Sequence, residues 1–192
     1  MKIVVYPHPS LRHKARPVTS IDAKIHLHVR EMLELMYEAR GLGLAATQVE
    51  LPYRLLVMNL TSDPKQSEHE GAYLNPVILE KKGAVEDEEG CLSLPGLYRK
   101  VRRAKTVKVQ AYNLKGEGVE ITASDLAARV WQHEIDHLDG ILFIDRLGPV
   151  GKIDTRGTLQ EFERKYRKAQ ERGEIPADNV IEKNLTALEA QA

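Results

Sequence analysis

The sequence is poor in the residues that build disulfides and aromatic clusters: 192 residues include one cysteine, one tryptophan and two phenylalanines. Because Cys91 is alone, an intramolecular disulfide is impossible, and its free thiol predicts a reducing, cytoplasmic location. The 28 basic residues equal the 28 acidic residues, which excludes a broad positive surface for nucleic acid or an anionic membrane. No apolar run reaches membrane-spanning length, and the first residues lack the apolar stretch of a secretory signal. We therefore expect neither a membrane nor a specific nucleic acid as partner.

Apolar periodicity predicts a helix near the start of the chain and strands in its middle. Apolar residues at helical spacing predict the first helix over residues 22–40, with Gly41 as its stop. Pro76 lacks an N–H donor and so implies a bulge or an edge position in its strand. Strands are predicted over three segments, which are residues 54–60, 72–80 and 106–112.

Polar and glycine-containing segments mark the connections between these elements. Residues 61–71 predict a mobile polar loop. Residues 113–118 predict the turn of a hairpin, because Val119 and Ile121 then alternate back with polar residues. The short apolar run at residues 141–144 predicts one more strand.

Two further helices are predicted in the second half of the chain. The second helix begins with a cap at Ser124 or Asp125, and the third begins with a capping box at Thr158 and lies on the surface. We expect an α+β fold with mostly antiparallel β-sheets packed around the second helix and a helix towards each end. Residues 1–172 are predicted to form a single domain, and residues 173–192 an irregular C-terminal tail with a short helix near its end.

The second predicted helix carries the pattern HExxH. His133 and His137 are four residues apart, so their side chains lie about 40° apart around the helix and about 6 Å apart along it. Both imidazoles can therefore bind one metal ion, and Glu134 projects beside them. This pattern is typical of metal-assisted hydrolysis with the glutamate as general base. Two histidines leave such a site one ligand short.

Three positions in the sequence are candidates for the third ligand. One zinc-protease signature requires a histidine where this chain has Phe143, which cannot bind a metal. Glu161 or Glu163 could serve in a zinc endopeptidase, although a charged surface helix explains both carboxylates better. Cys91 offers a thiolate, a strong ligand for zinc and ferrous iron, and Gly90 lets the backbone approach closely. Cys91 with the two histidines leaves a fourth position open, as a catalytic metal requires.

Residues 41–48, GLGLAATQ, form a third segment of interest. Their small side chains let backbone amides meet an extended substrate. A loop that ends a helix is the simpler explanation for Gly41. The segment lacks the glycine spacing and the lysine of nucleotide-binding loops.

Taken together, GLGLAATQ, EGCLS and QHEIDHLDG closely resemble, in this order, the three signature motifs of the peptide deformylase family. The resemblance covers roughly residues 1–150, and the helix from Thr158 is similar to the C-terminal helix of the family. The chain departs from the family at Asp125, where a glycine often stands, and at Glu50. Neither residue belongs to the motif positions that bind metal or substrate.

The resemblance implies a catalytic domain that removes the formyl group from N-formylmethionine at the start of newly synthesised proteins and releases formate. It implies that Cys91, His133 and His137 hold one divalent metal ion. The native ion in such a family is expected to be Fe(II), while a mixed sulfur and nitrogen site also accepts Zn(II), Ni(II) or Co(II). The expected partners are N-formylmethionyl peptides.

The resemblance also assigns roles to residues around the metal. Glu134 would accept and return the proton, while the Gln48 amide and the Leu92 backbone N–H would stabilise the negative charge that grows on the formyl oxygen. An ordinary core position explains Leu126 equally well. The predicted substrate-binding residues are Gly43, Leu42, Gly90, Leu126 and Val130.

Two other functions are compatible with the same residues. A zinc endopeptidase with Glu161 or Glu163 as ligand is the second enzyme class, and a structural metal site in a ribosome-associated protein is the non-enzymatic one. Glu89 and Arg103 are expected to form an ion pair beside the ligand loop, with Arg99, Lys100 and Arg102 as competing partners. The resemblance also implies contact between the third helix and the ribosome near the exit tunnel, although a solvated face explains the charges of this helix better. Its basic residues are Arg164, Lys165, Arg167, Lys168 and Arg172.

Overall fold

A computed structural model describes residues 1–189 of the chain. Within this range the strands are β1 (Gly43–Ala45), β2 (Leu55–Met58), β3 (Gly71–Lys82), β4 (Val85–Gly90), β5 (Tyr98–Arg103), β6 (Thr106–Tyr112) and β7 (Gly118–Ser124). The α-helices are α1 (Ala23–Glu38), α2 (Asp125–Leu138), α3 (Pro149–Glu171) and α4 (Asp178–Glu189). Short 3₁₀ turns are Pro9–Arg12, Ala46–Val49, Ser67–His69 and Phe143–Arg146.

The strands form two antiparallel sheets. The larger sheet has the order β1-β2-β3-β6-β7, and β4 pairs with β5 in a separate two-stranded sheet. The predicted α+β fold with mostly antiparallel sheets is therefore confirmed. Because β1 is an edge strand of the large sheet, its outer side can accept a further extended segment.

Pro76 lies in a bulge of β3. The pairing between β3 and β6 shifts register between Leu74 and Val77, on either side of the proline. β3 lies between β2 and β6, so the alternative edge position for Pro76 is wrong. The bulge accommodates a residue that has no N–H to donate to the ladder.

Strands β4 and β5 were not predicted from the sequence. Their segments are highly charged and lack the alternation of apolar and polar residues that marks a half-buried strand. The antiparallel register places acidic residues of β4 opposite basic residues of β5, for example Glu86 opposite Arg102 and Glu88 opposite Lys100. Opposite charges across two strands stabilise the pair.

Helix α1 confirms the first predicted helix, with slightly shorter bounds. Asp22 caps it by accepting a hydrogen bond from the Ile25 backbone N–H at 2.9 Å. The apolar stripe faces β1 and β2, and its buried members are Ile25, Val29, Met32 and Met36. Burial of this stripe fixes α1 across the start of the large sheet.

Helix α2 lies in the centre of the fold and is buried on almost every side after its first turn. It contacts β1, β7 and the 3₁₀ turn at Ala46–Val49. Trp131, the single tryptophan, packs against Tyr73 of β3 with ring centroids 4.6 Å apart. The large sheet and the turn before β2 thus hold both faces of the helix that carries HExxH.

The start of α2 differs from the predicted cap. Ser124 occupies the capping position but makes no side-chain capping bond, and its hydroxyl lies 3.0 Å from that of Thr106. Asp125, the first helical residue, has φ of 54°. This left-handed conformation suits glycine best, which gives a physical reason for the glycine often found here in the resembling family.

Two predictions for the last third of the chain are wrong. The segment at 141–144 is not a strand: Phe143–Arg146 is a 3₁₀ turn, and Asp145 accepts a hydrogen bond from the Leu142 N–H at 2.8 Å. The third helix begins at Pro149 rather than Thr158, because proline is favoured in the first turn of a helix, where its missing N–H is not needed. The capping box at Thr158 therefore lies inside α3.

The loop at residues 61–71 contains a short turn, Ser67–His69, and its mobility stays a prediction. Its base is held by Asn59, which is fully buried. The Asn59 side chain accepts a hydrogen bond from the Thr61 N–H and donates to the Gln66 carbonyl. The Asn59 backbone N–H donates to the Leu42 carbonyl at 3.0 Å, which links this loop to the segment before β1.

Helix α4 accounts for the short helix expected near the end of the chain. It packs on the Pro9–Arg12 turn and buries Ile181 and Leu185. Glu189 at its last turn lies 2.8 Å from His13 Nε2. The boundary at residue 172 between domain and tail stays a prediction. Among residues 1–189, no helix combines the length and apolar character needed to cross a membrane.

Candidate metal centre

Three side chains that can bind a metal converge between α2 and the turn after β4. Cys91 Sγ lies 3.1 Å from His137 Nε2, and His137 Nε2 lies 3.2 Å from His133 Nε2. All three donor atoms lie within 4.8 Å of one another. Tetrahedral coordination with bonds of about 2.0–2.3 Å separates ligand atoms by roughly 3.4 Å. The donor set of one thiolate and two imidazoles therefore fits a single metal ion such as zinc or iron.

Different elements bring these ligands together. His133 and His137 lie one turn apart on the buried face of α2. Cys91 follows β4 directly, in a turn closed by a hydrogen bond from the Leu94 N–H to the Cys91 carbonyl. The Ser93 N–H lies 3.4 Å from Cys91 Sγ and stabilises negative charge on the sulfur.

Glu89 fixes the orientation of the His133 ring. Its Oε1 lies 2.6 Å from His133 Nδ1, so the neutral imidazole carries its proton there and leaves Nε2 free for a metal. Burial alone would raise the pKa of Glu89, but hydrogen bonds from His133 and Arg103 outweigh burial and hold this pKa well below its usual range. The expected contact between Glu89 and Arg103 is confirmed, with distances of 2.6 and 3.0 Å.

The His137 side chain is almost completely buried, and this burial makes its imidazole less basic. Burial, reinforced by the neighbouring His133, shifts the pKa of His137 well below its usual value and so favours the neutral, metal-binding form. Within the described part of the chain its Nδ1 has no hydrogen-bond partner. Thr47 holds the local backbone, because its hydroxyl donates to the His137 carbonyl at 3.0 Å.

Glu134 is a buried carboxylate beside this cluster. It is 4% exposed, and its Oε2 has no hydrogen-bond partner among the described residues. Burial raises its pKa to about 7, close to neutrality. A carboxylate with this pKa can both accept and return a proton near neutral pH.

Hydrogen bonds at both ends of the side-chain amide orient Gln48 in the site. Its Oε1 accepts a hydrogen bond from the Ala45 N–H at 2.9 Å, which directs Nε2 towards the ligand turn. Nε2 lies 3.2 Å from Ser93 Oγ and 3.6 Å from Cys91 Sγ. Because Nε2 carries two N–H groups, it can bond Ser93 and still present one donor next to the ligand cluster.

A cavity of about 470 Å³ opens beside the ligand cluster; Cys91 and His133 line it, and His137 is not among its lining residues. Val130 is buried in its wall, whereas Leu126 is 51% exposed, so an ordinary core position for Leu126 is wrong. Arg129 also lines the cavity and was missed by sequence reasoning, since an arginine on a helix is usually solvated. The predicted residues that line the cavity are Leu42, Gly43, Gln48, Gly90, Cys91, Leu92, Leu126, Val130, His133 and Glu134.

The carboxylates proposed for a zinc endopeptidase lie elsewhere. Glu161 pairs with Lys165 on the surface of α3 at 2.9 Å. Glu163 accepts a hydrogen bond from the Tyr6 hydroxyl at 2.9 Å. Neither residue joins the ligand cluster, so the endopeptidase interpretation is wrong.

Comparison with known proteins identifies the family of the chain. The family model for polypeptide deformylase matches residues 1–152. A peptide deformylase of Rhodopirellula baltica is 44% identical over 191 residues, covering 99% of this chain and 94% of the relative. One of Neisseria gonorrhoeae is 47% identical over 158 residues, covering 81% of this chain and 93% of the relative.

Solved structures of peptide deformylases share the fold. The Plasmodium falciparum enzyme has a TM-score of 0.84 at 38% identity, covering 87% of this chain and 98% of the other. The Thermus thermophilus enzyme has a TM-score of 0.77 at 42% identity, covering 85% and 97%. The chain therefore belongs to the peptide deformylase family, enzymes that use a metal ion to remove the formyl group from the N-terminus of newly made proteins.

Proposed function

We propose that Cys91, His133 and His137 hold the metal ion and that Glu134 is the general base of deformylation. The observation that carries this proposal is the convergence of one sulfur and two imidazole nitrogens at 3.1–3.2 Å contacts. Glu134 lines the same cavity and has a buried carboxylate oxygen that no described residue hydrogen-bonds.

The reaction needs a proton to move from water to the departing amine. When bound, the metal ion supplies Lewis acidity that acidifies water and polarises the formyl carbonyl. Glu134 accepts the proton of the water that attacks the formyl carbon. As the carbon–nitrogen bond breaks, Glu134 delivers that proton to the nitrogen, and the products are formate and a free N-terminal amine.

Gln48 and Leu92 are proposed to stabilise the charge that grows on the formyl oxygen. The Gln48 contact to Cys91 Sγ is long, at 3.6 Å, so that N–H can turn to a developing oxyanion at little cost. The Leu92 backbone N–H lies in the turn directly after Cys91 and would be the second donor. Donors held in place before the reaction need no reorganisation in the transition state.

The substrate peptide is proposed to bind along the β1 edge. Gly43 opens this strand, and the free side of an edge strand can pair with an extended backbone. Gly90 lines the same cavity. The methionine side chain would enter the apolar part of the cavity formed by Leu42, Leu126 and Val130.

The direct test is release of formate from formyl-Met-Ala by the metal-loaded protein. Glu134→Gln keeps the size of the side chain but cannot take up the proton, so we expect hydrolysis to fall by about 10²–10⁴-fold with the metal retained. If the metal-loaded protein releases no formate, or if Glu134→Gln is as active as the parent, the assignment is wrong.

We propose Fe(II) as the native metal, with Zn(II), Ni(II) and Co(II) as ions that the same donors accept. The thiolate of Cys91 and the two imidazoles support these borderline metals over Mg(II) or Ca(II). Anaerobic purification followed by elemental analysis tests this choice. Zinc in the anaerobic protein at one ion per chain would contradict it.

We also propose a cytoplasmic location and contact with the ribosome through α3, because both bring the enzyme to nascent chains. Lys165, Arg167 and Arg172 are already paired with acidic residues, which leaves Arg164 and Lys168 as the stronger candidates. Co-sedimentation with ribosomes should weaken for Arg164→Glu combined with Lys168→Glu. Unchanged co-sedimentation of this variant would contradict the contact.

A further inference from the structure

The sheet that carries Cys91 is separate from the sheet that supports the histidines. Among residues 1–189, β4 and β5 pair only with each other, and Cys91 follows directly after Gly90 at the end of β4. His133 and His137 belong to α2, which packs on the large sheet. The distance between the thiolate and the imidazoles therefore depends on how the β4-β5 hairpin is held against α2.

The side chain of Arg129 bridges α2 and this hairpin. Its Nη1 donates to Glu89 Oε2 at 2.8 Å and to the Val101 carbonyl at 3.0 Å. Its Nη2 donates to the Val85 carbonyl at 3.4 Å. All three acceptors belong to the hairpin, two on β4 and one on β5, and Arg129 itself is only 7% exposed.

Arg103 makes the opposite connection, from β5 to α2. It donates to Glu89 through Nε and Nη2 and to Asp136 on α2 through Nη1. Arg103 contacts both carboxylate oxygens of Glu89, so Glu89 keeps a charged partner in the absence of Arg129. Arg129 adds contacts to the backbone of both strands, which Arg103 does not provide.

We infer that Arg129 is a positioning residue whose guanidinium clamps the β4-β5 hairpin onto α2 and thereby sets the position of the Cys91 thiolate relative to His133 and His137. The inference rests on the proposed ligand set. The planar fork of arginine reaches three acceptors at once, whereas a lysine at this position has a single nitrogen and cannot span them. Glu89 keeps Arg103 and His133 when Arg129 is removed, so the effect falls on the thiolate and not on the His133 tautomer.

The test compares Arg129→Met and Arg129→Lys with Arg102→Met, which alters an exposed arginine on β5, next to the Val101 whose carbonyl Arg129 contacts. Each protein is reconstituted with Co(II), and metal affinity is measured by chelator competition. The sulfur-to-cobalt charge-transfer absorption reports on thiolate ligation without reference to turnover. We expect both Arg129 variants to bind metal about 10–100-fold more weakly and to lose charge-transfer intensity, while Arg102→Met matches the parent.

Two outcomes would overturn the inference. If Arg129→Met melts at a lower temperature but keeps the metal affinity and the charge-transfer band of the parent, Arg129 is structural only. If Arg129→Met fails to fold, Arg129→Lys decides, and an affinity equal to that of Arg102→Met refutes the clamp. Cys91→Ser serves as reference: if it retains both affinity and band, the ligand set itself is wrong, which is a different failure.

Discussion

Gly43 and Glu134 lie so close that a Cβ atom on residue 43 would sit 2.6 Å from Glu134 Oε1 and 2.9 Å from its Cγ and Cδ. Glu134 is enclosed and cannot move aside without leaving its position over the ligands. Space, rather than backbone conformation, therefore explains why this position is a glycine.

Gly43→Ala is expected to displace the Glu134 carboxylate and lower kcat for formyl-Met-Ala by about 10²-fold, because general-base catalysis depends on position. Gly118→Ala is the matched control, since a Cβ there meets nothing closer than 3.9 Å and lies in the remote β6-β7 hairpin. Formate release and metal content are measured for both variants. Full activity of Gly43→Ala would show that Glu134 is not the base in its observed position.

Ser93 is expected to act on catalysis through Gln48. Ser93 is fully buried and its hydroxyl holds Gln48 Nε2, so Ser93→Ala frees the amide and should lower kcat roughly 10-fold with little change in KM. The measurement is a double-mutant cycle with Gln48→Ala. In the Gln48→Ala background the Ser93 substitution should have no further effect. Additive losses in the cycle would mean that Ser93 acts by another route.

His8 is expected to make the fold less stable as the pH falls. It is 5% exposed, and burial lowers its pKa despite the opposing charge of Glu50, while Lys2 lowers the pKa further and Asp178 opposes it. The unfolded chain therefore takes up a proton near pH 6.5 that the folded chain does not, so stability is present above this pH and is lost below it.

His8→Asn isolates this contribution, because asparagine can still accept the Ser10 N–H hydrogen bond that His8 Nδ1 accepts. We expect the free energy of unfolding of the variant to fall less steeply between pH 7 and 5, by up to about 1.4 kcal/mol per pH unit. Urea unfolding of both proteins in the same metal state provides the measurement. Parallel curves would exclude His8 as the titrating group.

Asp125 is expected to tolerate glycine and asparagine better than alanine. Its φ of 54° is left-handed, and alanine at such a position costs about 1 kcal/mol or more. We expect Asp125→Gly to stay within about 0.5 kcal/mol of the parent and Asp125→Ala to lose about 1–2 kcal/mol. Asp125→Asn separates the loss of charge from the backbone effect. Equal stability of the alanine and glycine variants would contradict this account.

Helix α4 is expected to contribute to stability through its buried face. Leu185 is 2% exposed, so Leu185→Ala should lower the free energy of unfolding by about 2–5 kcal/mol. Val180→Ala on the same helix is the control, since Val180 is 43% exposed and should change stability by less than about 0.5 kcal/mol. Equal effects of the two substitutions would mean that α4 is not packed on the N-terminal turn as described.

Local patterns predicted those parts of the fold that bury one regular face. The stripe on α1 and the alternation in β6 are of this kind. The first turns of α3 gave no such signal, because Val150 and Ile153 are more than 70% exposed and form no core stripe. Residues 141–144 were assigned to a strand because a short apolar run can be buried in several conformations.

The histidine ligands and the cysteine ligand of the metal site also differ in how far local sequence patterns could predict them. His133 and His137 were predictable because helical geometry is local, so four residues of spacing place both on one face. Cys91 is distant in sequence, and only its setting and the family resemblance singled it out. The role of Arg129 could not be predicted, because it depends on contacts with the β4-β5 hairpin, and the spacing of residues along α2 does not indicate such contacts.

The position of Trp131 gives the protein an internal optical probe. The indole lies on α2 two residues before a proposed ligand and against the Tyr73 ring, and it is the sole tryptophan of the chain. Its emission therefore reports on one place, the junction between α2 and the large sheet. Metal loading, hairpin release and global unfolding could each be followed there without a label.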